Sequence, residues 1–371
     1  MDEEQESADL AIEHLKRHID GISPDTYAIH VSRDGSLIST STNPEDDETT
    51  CAYYPPLWSL QRPDGIETIT RTDLKEIDRL TPHVDLVSYD TSPGVSTGKN
   101  SVFKYNMLGL RVPDLWDEMN LWMRLPQHLN IVPFDRVVVD ELDGNVIWFT
   151  SVYISGGMPN ANRSRVFKLK WLEQLTRVID DLNLKHGIMH QDIAARNILI
   201  DPATDDLMLF DFNFSARIGT AGHFSDRDDV KGVTFTLYEI ITRDEHFREV
   251  PHDSQNPEDI QTMRTWPQHP DSLLDHPVQE YRSFLDRWVK GRQEGTRISV
   301  YTEALEPREW PPFPDDPVKQ SLFPAKKGGP PRVPIPCWVY IRRIERRKGN
   351  TRRFLDWQRP PQGKITVDMS S

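Results

Sequence analysis

Apolar residues recur along this chain in two periods, and the period changes near the middle. From about Val84 to Ile154 they fall in short β-rich runs, "VDLVSYD", "NSVFKYN", "IVPFDRVVVD" and "NVIWFTSVYI". These runs predict strands, and one stretch around residues 114–126 carries a helical repeat instead. After Ser155-Gly156-Gly157 the period lengthens. Leu172, Leu175, Ile179 and Leu182 form one helical face, Val230, Val233, Leu237 and Ile240 a second, and Val278, Tyr281, Leu285 and Trp288 a third. All three stripes read as core.

The flanks differ in kind. Residues 7–19 place Leu10, Leu15 and Ile19 on a helical repeat, and "YAIHVSRDGSLIST" alternates about an Asp34-Gly35 turn, which predicts a hairpin. Beyond the acidic "PEDDETT", Thr72 is the expected cap of a short helix bearing Leu74, Ile77 and Leu80. Past residue 295, ten prolines between Glu306 and Pro336 exclude long helices and central strands. The expected organisation is α+β. An N-terminal extension covers 1–80, a small sheet with one helix 81–154, a mostly helical part 155–295, and a proline-rich then basic tail 296–371.

Composition narrows the setting. With 371 residues and 37% hydrophobic content the chain can bury a core of two lobes or two domains. Its two cysteines, Cys51 and Cys337, are too few and too isolated for a disulfide framework or a thiolate metal site. A reducing, intracellular setting, cytoplasmic or nuclear, is therefore expected. No run nears the roughly 18 apolar residues of a membrane span, and the start "MDEEQESADL" is unlike a leader peptide. The net charge of −14 hides an asymmetry: residues 326–371 carry twelve Lys/Arg against three Asp/Glu, leaving −23 on the remainder. That tail interleaves its charges with Trp338, Tyr340, Phe354 and Trp357, a composition compatible with an acidic partner, nucleic acid, an acidic membrane or its own acidic body.

The chemistry concentrates in "HGIMHQDIAARNILIDPATDDLMLFDFNFSARIG", His186 to Gly219. Two strand-like runs flank a loop, an arrangement that brings Asp192, Asn197 and Asp211 to one rim. Two carboxylates and an amide oxygen are hard donors suited to Mg²⁺. The bland alternative is a chance scatter of polar residues around an Asx turn.

The order His-x-Asp-x-x-x-x-Asn, then Asp-Phe nineteen residues after the first Asp, resembles the catalytic and metal-binding loops of the eukaryotic protein kinase family. The resemblance implies a bilobal fold, a small antiparallel β lobe with one helix over a larger helical lobe, that uses ATP and Mg²⁺ on a protein substrate. It makes Asp192 the base for the substrate hydroxyl, and Asn197 and Asp211 the metal ligands. The "AAR" before Asn197 is similar to the tyrosine-kinase loop, with Arg196 facing the transferred phosphate. His190 becomes a buttress. "SVFKYN" then supplies Lys104 for the α/β-phosphates, "LWDEMNLWMRLPQHLNIV" supplies Glu118 as its partner, and Val152, Tyr153, Ile154 and Ser155 offer backbone groups to adenine, with Ser151 behind the base. Asp229, ten residues before Glu239, would bond the catalytic-loop backbone.

Four departures mark the chain as similar to the divergent protein-kinase-like proteins of filamentous fungi. The glycine-rich loop reduces to Gly94 and Gly98 in "SYDTSPGVSTGKN". Gln191 stands where an Arg would pair an activation-loop phosphate, so control by such a phosphate is not expected. Asn213 replaces a glycine. Only eighteen residues separate Asp211 from Asp229, too few for the usual peptide-docking segment. Two other readings stay open: a pseudokinase scaffold without turnover, and a small-molecule kinase of the aminoglycoside or choline type.

Overall fold

A computed structural model describes residues 2–23, 26–43, 46, 54–91, 98–106, 112–141, 144–159, 161 and 164–314, with side chains from Leu10 onward. The basic tail, both cysteines and Gly94 lie outside the described residues. The chain divides into two compact units, Met1–Tyr53 with Asp315–Ser371, and Tyr54–Pro314. Among the described residues no helix is long and apolar enough to cross a membrane.

In the first unit, helix α1 (Asp2–His18) is followed by the antiparallel hairpin β1 (Ala28–Val31) and β2 (Leu37–Ser41), as their patterns predict. The turn is closed by Asp34, whose carboxylate accepts from the Ser32 hydroxyl and from the Ser36 backbone; these bonds hold its pKa down to about 2. Arg17 donates to the Asp34 carbonyl at 3.0 Å, and the His18 ring meets the Gly35 carbonyl at 2.6 Å, which seats the helix on the turn.

The second unit begins with a six-stranded sheet. Its strands are β3 (Glu67–Thr70), β4 (Lys75–Thr81), β5 (Val84–Asp90), β6 (Gly98–Lys104), β7 (Phe134–Val139) and β8 (Val146–Val152), in the order β3-β7-β8-β6-β5-β4. β3 runs parallel to β7 and every other pairing is antiparallel. Helix α2 (Val112–Arg124) lies on one face, where Trp122 meets Phe149 of β8 edge-on at 5.6 Å. Ile69, Val87, Tyr89, Phe103, Val138 and Ile147 cluster in a second patch of core. β8 is buried on both sides, so residues 146–149 read as a continuous apolar run rather than an alternation.

Asp135 of β7 ties four strands together: its carboxylate accepts from Tyr89, Lys99, Ser101 and Thr150 at 2.6–2.9 Å. Burial works against this charge, but the donors outweigh it and hold its pKa below the ordinary carboxylate range.

One expected element is wrong. The helix expected from Thr72 through Leu80 is instead a one-turn 3₁₀ element at Arg71–Asp73 followed by strand β4. The boundary expected at residue 80 thus falls inside a strand of the sheet. Leu74, Ile77 and Leu80 have helical spacing, but pairing with β5 through a tight turn satisfies the backbone of Lys75–Thr81. The pairing overrides local preference. Ile77 and Leu80 remain exposed on this edge.

The remaining elements are mostly helical, on the stripes expected. They are α3 (Leu169–Asp180), α4 (Asp229–Thr242), the short α5 (Glu258–Gln261) and α6 (Val278–Glu294). Small pairs punctuate them: β9 (Val166–Phe167) with β14 (Leu273–Leu274), β10 (Ile188–Met189) with β13 (Ala216–Arg217), and β11 (Ile198–Asp201) with β12 (Asp206–Leu209). The chain crosses from sheet to helices at Ser155-Gly156-Gly157. A Cβ on Gly156 would stand 1.8 Å from the Ile200 carbonyl oxygen, so only glycine fits there. Residues 299–314, expected to begin a tail, instead pack back along this unit.

Candidate functional site

The site is built on the turn between β10 and β11 and the end of β12. β11 and β12 pair with Ile198 opposite Leu209, and the Phe210 amide donates to the Asn197 carbonyl at 3.1 Å. The hairpin therefore sets Asn197 beside the residue preceding Asp211, as its sequence requires.

Three elements hold the loop from below. Asp229, at the start of α4 and 1% exposed, accepts from the backbone amides of His190 (2.8 Å) and Gln191 (2.7 Å) and from Asn183 Nδ2 (2.8 Å). Burial raises its pKa, while His190 and these donors pull the other way. The Ile193 carbonyl accepts from Thr236 at 3.0 Å and from Arg248 at 3.0 Å, and Arg248 pairs with Glu239 at 2.5 Å. His190 meets the Phe210 carbonyl at 3.2 Å and packs on the Phe212 ring at 5.2 Å. Phe212, fully buried, also contacts Trp122 of α2 at 5.2 Å, so the loop and α2 share one apolar joint.

Above this base the polar groups meet. Asn197 Nδ2 donates at 2.8 Å to both the carbonyl and the Oδ2 of Asp192, and Arg196 donates to Asp192 Oδ1 at 2.5 Å. The Asp192 carboxylate is 8% exposed and oriented through both of its oxygens. Lys104, at the end of β6, reaches Glu118 of α2 at 2.8 Å and also bonds Asp211. Burial opposes the Lys104 charge, but the two carboxylates outweigh it and hold its pKa above the ordinary value. Burial pushes Glu118 up to about 7, against the pull of Lys104 and the Phe212 amide.

Gln191 and Asp211 both hold the left-handed region, each at φ 66°, a conformation that costs a non-glycine residue on the order of 1 kcal/mol. The Asp229 bonds secure the first of these. Asn213, which stands where the family has a glycine, does not adopt this conformation; Asp211 does. The exchange of glycine for Asn213 is therefore free of backbone strain.

Gln191 itself was expected only as a missing arginine. Its Nε2 donates to the carbonyls of Phe214 (2.6 Å) and Gly222 (2.8 Å), and its Oε1 accepts from the Phe224 amide at 2.6 Å. It therefore fastens both ends of residues 214–224 to the loop.

Two groups expected at the nucleotide do not stand as expected. Gly98 opens β6 opposite Asp90, six residues from Lys104. At ~3.3 Å per residue that is about 20 Å away, too far for its amide to cover a phosphate held by Lys104. The turn that does adjoin Lys104 is Pro82-His83. Val84 faces Lys104 in the ladder, and the Tyr105 amide donates to the His83 carbonyl at 3.0 Å. This turn contains no glycine. The sheet register, which sequence alone does not give, was the missing signal.

Of the expected adenine-facing groups, the Val152 amide is committed to the Pro133 carbonyl at 3.0 Å, which removes it as a donor. Tyr153 and Ile154 continue half-buried into the exposed Ser155, and Ser151 is buried in β8.

Among the described residues no cluster of three or more His, Cys, Asp or Glu side chains could hold a metal ion. Asn197 and Asp211 remain a pair of hard oxygen donors at one rim. Asn197 uses its Nδ2 on Asp192, so its amide oxygen is the atom that could face a cation. Two protein oxygens fit Mg²⁺, which completes its shell with phosphate and water. No protein-family model matches the chain, and no curated protein matches it.

Proposed function

We propose that the chain is an ATP-dependent phosphotransferase with a bilobal, protein-kinase-like fold, transferring the γ-phosphate to a protein hydroxyl. The observation that carries the reading is the convergence of Lys104, Glu118 and Asp211 in one ion-paired group, with Asp192, Arg196 and Asn197 hydrogen-bonded beside it.

In this reading Glu118 orients Lys104 toward the α/β-phosphates. Asp192, fixed by Asn197, accepts the proton of the attacking hydroxyl. Arg196 bonds Asp192 from a side chain that is 61% exposed, so it can turn to the phosphate without unpacking the core. Asn197 and Asp211 would hold Mg²⁺, which supplies charge neutralisation at the phosphates. Gln191 holds residues 214–224 by neutral hydrogen bonds, so a phosphate there has no cation to find at that position.

The Pro82-His83 turn favours one second reading, a nucleotide-binding scaffold without turnover, because it offers no glycine-rich cover for the phosphates. ATP consumption with Mg²⁺, measured beside the thermal shift caused by nucleotide, separates the two. Nucleotide at about 100 times its Kd stabilises by about 2.7 kcal/mol. Wild type should show both shift and turnover. Asp192→Ala should keep the shift and lose about 10²-fold or more in rate, and Asp211→Ala should lose both. A shift without turnover in wild type leaves the scaffold reading. No shift refutes both.

A further inference from the structure

Residues 299–314 join three parts of the second unit. Backbone bonds fasten the start of this segment: Tyr301 donates to the Ile218 carbonyl (2.8 Å), Leu305 to Leu184 (3.3 Å), Glu306 to Lys185 (2.6 Å) and Arg308 to His186 (3.2 Å). Gly187 lies beneath it, where a Cβ would stand 2.6 Å from the Tyr301 carbonyl oxygen. The Arg217 guanidinium, on β13, lies 5.2 Å from the Tyr301 ring and 4.6 Å from the Trp310 ring.

The far end is fastened to α2. Trp310 Nε1 donates to Asp117 Oδ1 at 2.9 Å, Trp116 Nε1 donates to the Pro311 carbonyl at 2.9 Å, and Trp116 meets Phe313 edge-on at 5.7 Å. Trp310 and Trp116 are both buried. Beyond the 3₁₀ turn at Tyr301–Glu303, Pro307, Pro311, Pro312 and Pro314 each fix φ, so less freedom is lost when the segment docks.

Asp117 and Glu118 are consecutive on α2, and consecutive helical residues project about 100° apart. One faces the strap while the other faces Lys104. We propose that this segment is a positioning element, with Trp310 holding α2 so that Glu118 stays against Lys104. The inference rests on the reading of Lys104 and Glu118 as part of the phosphate site. The orientation of α2 is then set from within the chain, independent of any modification of residues 211–229.

The test uses full-length protein and two readouts, hydrogen exchange of the α2 amides and Mg-ATP turnover. Trp310→Ala should raise exchange across residues 112–124 at least tenfold, leave α4 unchanged, and lower kcat for ATP at least tenfold. Trp310→Phe, which keeps a ring but loses the donor, should show the same pattern at about threefold or more and stands in if the alanine variant fails to fold. Asp117→Asn keeps an acceptor for the indole N–H and should stay within twofold of wild type. In a Glu118→Gln background, Trp310→Ala should lower turnover no further than twofold, because both act through one ion pair.

Unchanged α2 exchange in both Trp310 variants, or losses that multiply in the Glu118→Gln background, would overturn the proposal. If wild type binds no nucleotide, the phosphotransferase reading fails by itself. The exchange arm then decides the strap: selective loosening of α2 upholds it, and no loosening ends it.

Discussion

Asp229 offers the most direct test of how the loop is held, because one buried carboxylate accepts three hydrogen bonds. Asp229→Ala leaves the His190 and Gln191 amides and the Asn183 side chain without that acceptor, at about 1–3 kcal/mol each if nothing replaces it. Two effects offset the sum. The burial penalty of the carboxylate, visible in its raised pKa, disappears with it, and water can enter the space left. The expected loss is therefore about 3–5 kcal/mol rather than the full total. At roughly 2–4 °C per kcal/mol for a unit of this size, the thermal midpoint should fall by about 6–20 °C. Asp229→Asn should not rescue it, because the added NH₂ opposes a backbone N–H. Urea and thermal denaturation read the stability, and hydrogen exchange reads the His190 and Gln191 amides. A loss below about 1 kcal/mol with both amides still protected would refute the account of the loop.

Gln191→Ala should release residues 214–224, seen as faster proteolytic cleavage between Phe214 and Phe224 with the helices still intact; unchanged cleavage would remove Gln191 as the fastener. Gly156→Ala should destabilise by more than about 3 kcal/mol, since its Cβ collides with the Ile200 backbone, whereas Gly291→Ala should stabilise by about 0.5–1 kcal/mol, since Gly291 lies within α6 with nothing within 4 Å. Denaturation midpoints moving in the same direction would contradict this pair. Burial raises Glu118 and Glu239 to about 7 from an ordinary 4.5, against the pull of Lys104 and Arg248 respectively. Between those values the folded chain keeps protons that the unfolded chain releases, so this contribution to stability falls as pH rises from 4.5 through 7 and is level above. The slope is at most about 1.4 kcal/mol per pH unit for each group, and Glu118→Gln should make it shallower. An identical slope in that variant would refute the assignment.

What could be read from the residues was whatever depends on neighbours close in sequence. The stripes of α3, α4 and α6 follow from spacing alone, and the hairpin that brings Asn197 and Asp211 together closes within the segment that encodes it. The Lys104–Glu118 pair is what the kinase resemblance implies for a strand lysine followed by an inward-facing helix glutamate, and the two stand 2.8 Å apart.

The errors share a different cause. Leu74, Ile77 and Leu80 have the spacing of a helix, and an edge strand buries too little for its own alternation to show. Which turn lies over Lys104 depends on the register of β5 against β6, and Gly98, near Lys104 in residue count, is far from it along the strand. Gln191 was judged by the charge it lacks, although a primary amide can donate and accept at once and so can fasten two stretches of backbone that an arginine, which only donates, could not bond in the same way. The strap was hidden for a related reason. Its prolines exclude a helix or a central strand, and that exclusion says nothing against packing. Four irregularly spaced backbone bonds, two indole N–H groups and a guanidinium against two rings hold it, and such contacts leave no period in the sequence to detect.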